Sequence, residues 1–291
     1  MKISYMKKIL PFILSIFAMC NSAVAEYIEP SNIQIQTEKY PVELETFESA
    51  KYLYEISWQG IKVGSASFEV DAEGSEQNSE AIVQNKNLVA IKAEAKSAKL
   101  IDVFYRLRHE SESLVEKKTM QPVKFSTWQK ENSKIKSAEL NFGKDSRIQG
   151  TTEKDGKIEK ENDFKSHNFT LDPISAAFFA RSIPIEVGTK ASFDVFNGKH
   201  RYLITFNVTA IEEIEIMGKL RKAFKAVPSV QKLTDTEGEK RLQAASIWIS
   251  ADETREILKL ESKVFVGSVN ATLVKVENSE KKVNLASVGI R

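Results

Sequence analysis

Leu171-Asp172-Pro173-Ile174-Ser175-Ala176-Ala177-Phe178-Phe179-Ala180-Arg181 is the clearest helical stretch after the amino terminus of this chain. Nearly everything on either side of it alternates as strands do. Asp172 is placed to cap the first free amides, and Pro173 at the first helical position forfeits no hydrogen bond. Ala176, Ala177, Phe178, Phe179 and Ala180 follow one another, so the helix has no wet face and belongs inside the protein. Ser182 and Pro184 end it, because proline forbids a further turn and pushes its predecessor towards extended backbone. A helix of about nine residues is marginal alone, so its stability must come from the strands that receive it. The expected fold is mainly β: a large curved antiparallel sheet or barrel-like domain around one short, central, buried helix.

Towards the amino terminus, Tyr52, Tyr54, Ile56 and Trp58 alternate with Leu53, Glu55, Ser57 and Gln59, and the pattern resumes after Gly60 as Ala66, Phe68 and Val70. That spacing predicts two strands joined at a glycine turn. Val89, Ile91, Ala93 and Ala95 then oppose Ala90, Lys92, Glu94 and Lys96, a period of two with charge on the wet face. Residues 104–114, 123–129, 134–142 and 147–152 continue the series, with Pro122 at an entry point and a tight turn at Asp155-Gly156.

On the other side of the helix, Asn197-Gly198 reads as a two-residue type I′ hairpin turn. That register sets Phe196 opposite Lys199, Val195 opposite His200, Asp194 opposite Arg201 and Phe193 opposite Tyr202. Phe193, Val195, His200 and Tyr202 then share a face with Ile204, Phe206 and Val208. Asp194 and Arg201 form an opposite-charge pair on the other face, worth a few tenths to about 1 kcal/mol. A strand region at 214–227 turns near Gly218, a polar excursion fills 228–240, and strands at 244–249, 258–265 and 269–274 complete the series. Roughly a dozen strands are most economically held in one curling sheet, which removes exposed edges. Two β halves, 51–170 and 185–277, meeting at helix 172–182 are the alternative organisation of the 51–277 domain. Residues 26–50, with Pro30 and Pro41, form an irregular arm, and 278–291 a tail.

Residues 1–25 have the order of a signal peptide: Lys2, Lys7 and Lys8, an apolar core from Ile9, and the small-residue cleavage pattern Ala23-Val24-Ala25. Glu26 is the expected mature start. An uncleaved anchor is the rival reading, with an apolar run that is short and broken by Pro11. Lipidation at Cys20 is another, but Met19 before it is too large for the usual processing site. With cleavage after Ala25 no cysteine remains to form a disulfide or supply a thiol. Removing the three signal lysines from 42 basic residues leaves 39 against 40 acidic ones, which argues against a nucleic-acid surface. The 266 residues after Ala25 can bury a sizeable core, and no second apolar run reaches membrane-spanning length.

Catalytic constellations are absent or weak. The three histidines, His109, His167 and His200, have no metal-ligand spacing, and there is neither a Gly-x-Ser-x-Gly elbow nor a phosphate-binding glycine loop. Ser175 and Asp172 are better explained by the helix start, and the neighbours Asp252 and Glu253 would point to opposite faces of a strand. No catalytic residue, metal ligand or cofactor is predicted. Trp58, Phe178, Phe179, Arg181 and Trp248 are the candidate ligand contacts, each with core packing as its alternative. Arg181 ends an apolar helix, where a cation complements the carboxy-terminal partial charge. It would either pair with an acid there or meet an anionic headgroup at the mouth of a cavity. Asp172, Pro173, Asn197 and Gly198 are assigned structural roles.

Tyr54-Glu55-Ile56-Ser57-Trp58-Gln59-Gly60-Ile61-Lys62-Val63-Gly64 resembles the opening segment of the bacterial envelope proteins grouped as domain-of-unknown-function family 3108. Leu171-Asp172-Pro173-Ile174-Ser175 with Ala180-Arg181 is similar to that family's central motif. Ile247-Trp248-Ile249-Ser250-Ala251-Asp252-Glu253, followed by Lys263-Val264-Phe265-Val266-Gly267-Ser268, resembles its closing segment. Glu256-Ile257-Leu258 stands where the closing pattern often has proline. The resemblance implies an exported, β-rich periplasmic or outer-membrane-associated protein with no assigned reaction and no catalytic residues to carry over. The expected function is therefore that of a non-enzymatic envelope protein in the periplasm, binding a lipid-like, amphipathic or glycan ligand or assisting envelope assembly. The alternatives are a purely structural or protein-interaction module with an envelope partner, and a carbohydrate or peptidoglycan hydrolase whose separated acids converge in space.

Intact-mass measurement of protein recovered from the periplasm of a Gram-negative host should give a chain starting at Glu26. A mass that retains residues 1–25, or a diacylglycerol adduct on Cys20, would refute the soluble mature form.

Overall fold

The computed structural model describes residues 48–72, 87–233, 245–263 and 267–278. The expected signal peptide with Cys20, nearly all of the expected arm, and the tail beyond Asn278 lie outside the described residues. The strands are β1 (Ala50–Trp58), β2 (Ile61–Asp71), β3 (Leu88–Ser97), β4 (Leu107–Glu116), β5 (Pro122–Glu131), β6 (Lys134–Phe142), β7 (Arg147–Lys154) and β8 (Lys157–Lys165). They continue as β9 (Thr170–Leu171), β10 (Lys190–Phe196), β11 (Arg201–Ile216), β12 (Lys219–Ala226), β13 (Ser229–Lys232), β14 (Ala245–Ser250), β15 (Ile257–Lys263) and β16 (Ser268–Asn278). The helices are α1 (Lys99–Asp102) and α2 (Pro173–Ser182).

All sixteen strands belong to one sheet, in the order β8-β7-β6-β5-β4-β3-β2-β1-β16-β15-β14-β12-β11-β10-β9, with β13 pairing to β11 off that path. Every pairing is antiparallel except β9 with β10. The ladder between β1 and β16, from Ala50 opposite Asn278 to Trp58 opposite Val269, carries the sheet without interruption from the first meander into the second. The sheet curls around α2 but ends at β8 and β9 and is not closed into a barrel. Its concave face and the helix share one apolar core. Phe178 meets Phe68 edge-on with centroids 5.9 Å apart, and Phe179 meets Phe193 at 5.3 Å.

Glycine turns set much of the register. Gln59-Gly60, Asp155-Gly156 and Met217-Gly218 each have positive φ at both positions, the type I′ geometry that suits a two-residue hairpin. Asn197-Gly198, the pair with the strongest chemical signal for that turn, does not adopt it. Only Gly198 has positive φ there. The ladder sets Phe196 opposite Arg201, Val195 opposite Tyr202 and Phe193 opposite Ile204, which leaves a four-residue loop, 197–200, in place of the expected two. The Asn197 carboxamide caps that loop, its Oδ1 accepting from the amides of Lys199 and His200 at 3.0 and 2.8 Å. Because the register moved by two, the faces survive: Phe193, Val195, Tyr202, Ile204 and Phe206 remain on one side.

The reason for the wider loop is tertiary. Thr152 Oγ1 and Asn162 Nδ2 donate to the Gly198 carbonyl at 3.0 and 2.8 Å, so the loop is held against β7 and β8. The free edge of the sheet is thereby fastened to its far end by a polar clasp in place of a ladder. Asp194 and Arg201 belong to the same clasp. The opposite-charge pair read from the sequence forms, but across a diagonal of the ladder and in the interior, the two residues being 0% and 1% exposed. Arg201 Nε donates to Asp194 at 2.7 Å, Arg201 Nη2 donates to Ser166 at 2.8 Å, and Asn168 Nδ2 donates to Asp194 at 3.0 Å. Helix α1 was not foreseen either. Phe104, expected to open a strand, lies in the turn after α1 and is 40% exposed, while Asp102 accepts from both Arg108 and Ser97.

A Cβ on Gly198 would lie 2.9 Å from Ala138 Cβ, whereas one on Gly156 would meet nothing within 4 Å, although both glycines have positive φ. Gly156→Ala should therefore cost only the backbone strain, roughly 1 kcal/mol, and Gly198→Ala roughly 2–4 kcal/mol. Chemical denaturation of the two variants checks this; equal losses would contradict the docked loop.

Candidate functional site

The site is organised by the start of α2. Asp172 Oδ1 accepts from the amides of Ile174 and Ser175 at 2.8 and 3.0 Å, and Ser175 Oγ accepts from the Asp172 amide at 2.9 Å, completing a capping box. The other carboxylate oxygen accepts from Ser113 Oγ of β4 at 2.6 Å. A cap that would ordinarily face water is thus tied to the sheet with no exposed surface. Burial pushes the Asp172 carboxyl above the usual carboxylate range, and the hydrogen bonds from Ser113, Ser175 and Ile174 pull it back part of the way.

Pinned in this way, α2 presents two different faces to the sheet. Phe178 and Phe179 pack into the aromatic core. Pro173, Ile174, Ala176, Ala177 and Ala180 face a cavity of about 170 Å³, because alanines leave unfilled the space that larger side chains would occupy. Phe68, Ala93 and Phe125 form one wall of the cavity. Phe193, Ile204, Phe206, Pro228 and Val230 form a second, and Ala245, Ile247, Ile249, Ile257 and Leu260 a third. Among the described residues His109 and Ser111 are the only polar ones in its lining, and none is charged.

That polar pair stands at alternate positions on the inward face of β4. Ser111 Oγ donates to Thr127 Oγ1 at 2.8 Å, and Thr127 Oγ1 donates onward to the Glu110 carbonyl at 3.4 Å. Ser111 Oγ also lies 2.8 Å from His109 Nε2, a contact in which either atom can donate according to the imidazole tautomer. His109 Nδ1 is buried and has no partner among the described residues. Burial pushes the His109 pKa down to about 4, so the ring is neutral at physiological pH.

The candidate contacts read from the sequence are not the cavity lining. Trp248 is on the opposite face of β14 from Ile247 and Ile249. Its indole N–H donates to Glu212 at 2.7 Å, and the ammonium groups of Lys225 and Lys259 lie 5.2 and 4.8 Å from its ring centroid. Trp58, half-buried at the end of β1, packs on the edge of the core. Arg181 is buried in the last turn of α2. It donates to the Thr254 carbonyl at 2.6 Å, and its guanidinium carbon lies 5.2 Å from the centroid of Phe178 and 5.7 Å from that of Tyr52. The sequence signals for the cavity were quieter: alanines interleaved with phenylalanines on α2, and a histidine and serines in the inward stripe of β4. Among the described residues no three His, Cys, Asp or Glu side chains stand together as a metal site, and no helix is long and apolar enough to cross a membrane.

The chain belongs to a recognised family. The chain is a member of the DUF3108 family, described as a protein of unknown function, which matches residues 53–274. No curated protein matches it. Among solved structures it is similar to a β-barrel-like protein of the DUF1849 family from Brucella abortus, with a TM-score of 0.55 at 9% identity, covering 80% of this chain and 98% of that one. That likeness supports the fold alone. The lipoprotein LppX from Mycobacterium tuberculosis aligns over 82% of this chain and 91% of its own at 11% identity, with a TM-score of 0.29.

Asp172→Ala should cost roughly 2–4 kcal/mol, since it removes the cap and orphans a buried Ser113 hydroxyl. Asp172→Asn should lose less than half as much, because its carbonyl can still accept the two amides while its NH₂ donates to Ser113. Urea denaturation of both variants tests this; equal losses would mean that the charge, not the hydrogen-bond geometry, anchors the helix.

Proposed function

We propose that this protein is an exported, non-enzymatic component of the bacterial envelope that binds the apolar part of a lipid-like or amphipathic molecule beneath α2. The observation that carries the reading is the cavity, whose lining among the described residues is apolar apart from His109 and Ser111. A few well-placed polar groups in an apolar concavity are the usual make-up of a small-molecule site. Size narrows the ligand: an apolar cavity of about 150 Å³ holds a benzene-sized molecule, so about 170 Å³ suits a ring or short hydrocarbon segment rather than a two-chain lipid. A glycan would need many hydrogen-bonding side chains, and a carbohydrate hydrolase would need facing carboxylates; among the described residues this wall has neither. The signal-peptide order of residues 1–25 and the family resemblance support export to the periplasm.

Native mass spectrometry of protein purified from envelope, followed by extraction of adducts, should show an apolar or amphipathic molecule bound one to one. Ala177→Phe, which places a ring in the cavity, should abolish the adduct while leaving the fold intact. A ligand-free wild-type protein, or an adduct unaffected by Ala177→Phe, would overturn the reading.

A further inference from the structure

The connection between β3 and β4, built on α1, turns an apolar face outward. Ile101 and Tyr105 are buried, but Leu100 and Val103 are 84% and 78% exposed and Phe104 is partly exposed. Positions i, i+3 and i+4 share one face of a helical turn, so these three form a single patch. Ile61, at the start of β2 beside them, is exposed as well. Scattered exposed leucines are ordinary, whereas an apolar cluster at the tip of a hairpin marks an interaction surface.

The orientation is held by specific bonds. The amides of Ile101 and Asp102 donate to the Ala98 carbonyl at 2.8 and 3.0 Å, and those of Phe104 and Tyr105 to the Ile101 carbonyl at 2.9 Å. Asp102 accepts from Ser97 Oγ and Arg108 Nη2, both at 2.5 Å, so its charge is balanced. Lys99 and Arg106 flank the patch, exposed and with no carboxylate partner among the described residues.

Area and charge together choose the occupant. Three side chains of one turn bury far less than the roughly 1,200 Å² of a specific protein interface. An apolar tip flanked by cations suits an anionic bilayer, where a depth of about 5–10 Å buries it and each cation strengthens binding about fivefold. The same hairpin supplies Ala93, His109 and Ser111 to the cavity, and its Ala95–His109 pair lies just before Ser97 and Leu107, where the strands give way to α1. Docking through α1 sets one wall of the cavity within a few residues of the membrane.

We propose that α1 and the residues after it form a membrane-docking tip. Leu100, Val103 and Phe104 enter the interface of a bilayer containing anionic phospholipid, and Lys99 and Arg106 meet its headgroups. The docking is reversible, and it adds to the cavity reading without depending on it.

Flotation of the full mature protein with vesicles of phosphatidylethanolamine and phosphatidylglycerol tests this. Wild type should float with them. Leu100→Ser combined with Val103→Ser should bind at least about tenfold more weakly, because two apolar side chains no longer leave water. Lys99→Gln combined with Arg106→Gln should lose about tenfold or more on these vesicles, with no such loss on pure phosphatidylcholine. Because no cysteine follows Ala25, a nitroxide attached through Val103→Cys is the sole label. On vesicles it should gain contact with oxygen and lose contact with a water-soluble nickel chelate, while a label attached through Glu161→Cys should not. Wild type that stays in the aqueous fraction, or that floats equally well after the two serine substitutions, would overturn the proposal. So would a self-associated species that those substitutions abolish while vesicle binding is unchanged. Ala177→Phe separates the two readings: it should remove the cavity adduct and leave flotation as in wild type, so that either reading can fail alone.

Discussion

A carboxylate inside the core holds this structure in its working arrangement. Asp172 accepts two amides of α2 and the hydroxyl of Ser113, with none of its surface exposed. An isolated buried carboxylate would be prohibitive, but one that receives several hydrogen bonds converts a desolvation penalty into a geometric demand. The helix can sit in only one position that satisfies it. From that position Phe178 and Phe179 reach the aromatic core, Arg181 reaches the Thr254 carbonyl, and the alanine face is held away from β14 and β15. The cavity is a consequence of where one cap is anchored.

A second constraint comes from the size of the sheet. Sixteen strands with the right-handed twist of β structure must curl, yet the two ends do not pair as strands. They are joined by the buried Asp194–Arg201 pair, by Ser166 and Asn168, and by the Gly198 carbonyl against Thr152 and Asn162. Replacing such a buried pair with apolar residues of similar shape is often neutral or stabilising, so its contribution lies more in register than in net stability. Carbonyl and guanidinium directions fix how far the edge may slide in a way that apolar contact cannot. The open sheet thereby keeps a defined concave volume for α2.

The fold was legible because its signals are local. Period-two alternation in residues 52–58 and 89–95, the proline-started helix, and the glycine turns at Gly60, Gly156 and Gly218 each report on neighbours a few residues away. The site was not legible in the same way. Trp58, Phe178, Phe179, Arg181 and Trp248 are large and chemically conspicuous, which is why they invited a binding role. Large side chains fill space, however, and a cavity forms where side chains are small. His109 and Ser111 carried a signal of their own, polar residues in an inward stripe, but its meaning depended on Thr127 from the next strand.

By itself, then, the sequence determined where most of the strands run and where the central helix starts and stops, since these follow from backbone geometry and solvent partition over a few residues. It also determined that an apolar helix needs an enclosing sheet. Only the tertiary structure decided that Asn197-Gly198 opens into a four-residue loop, because the donors that hold its carbonyl, Thr152 and Asn162, come from strands some forty residues earlier. It likewise decided that Asp194 and Arg201 are interior and that the cavity faces alanine rather than phenylalanine. In each case the deciding contact joins distant parts of the chain, and its energy depends on three-dimensional placement that no local pattern encodes.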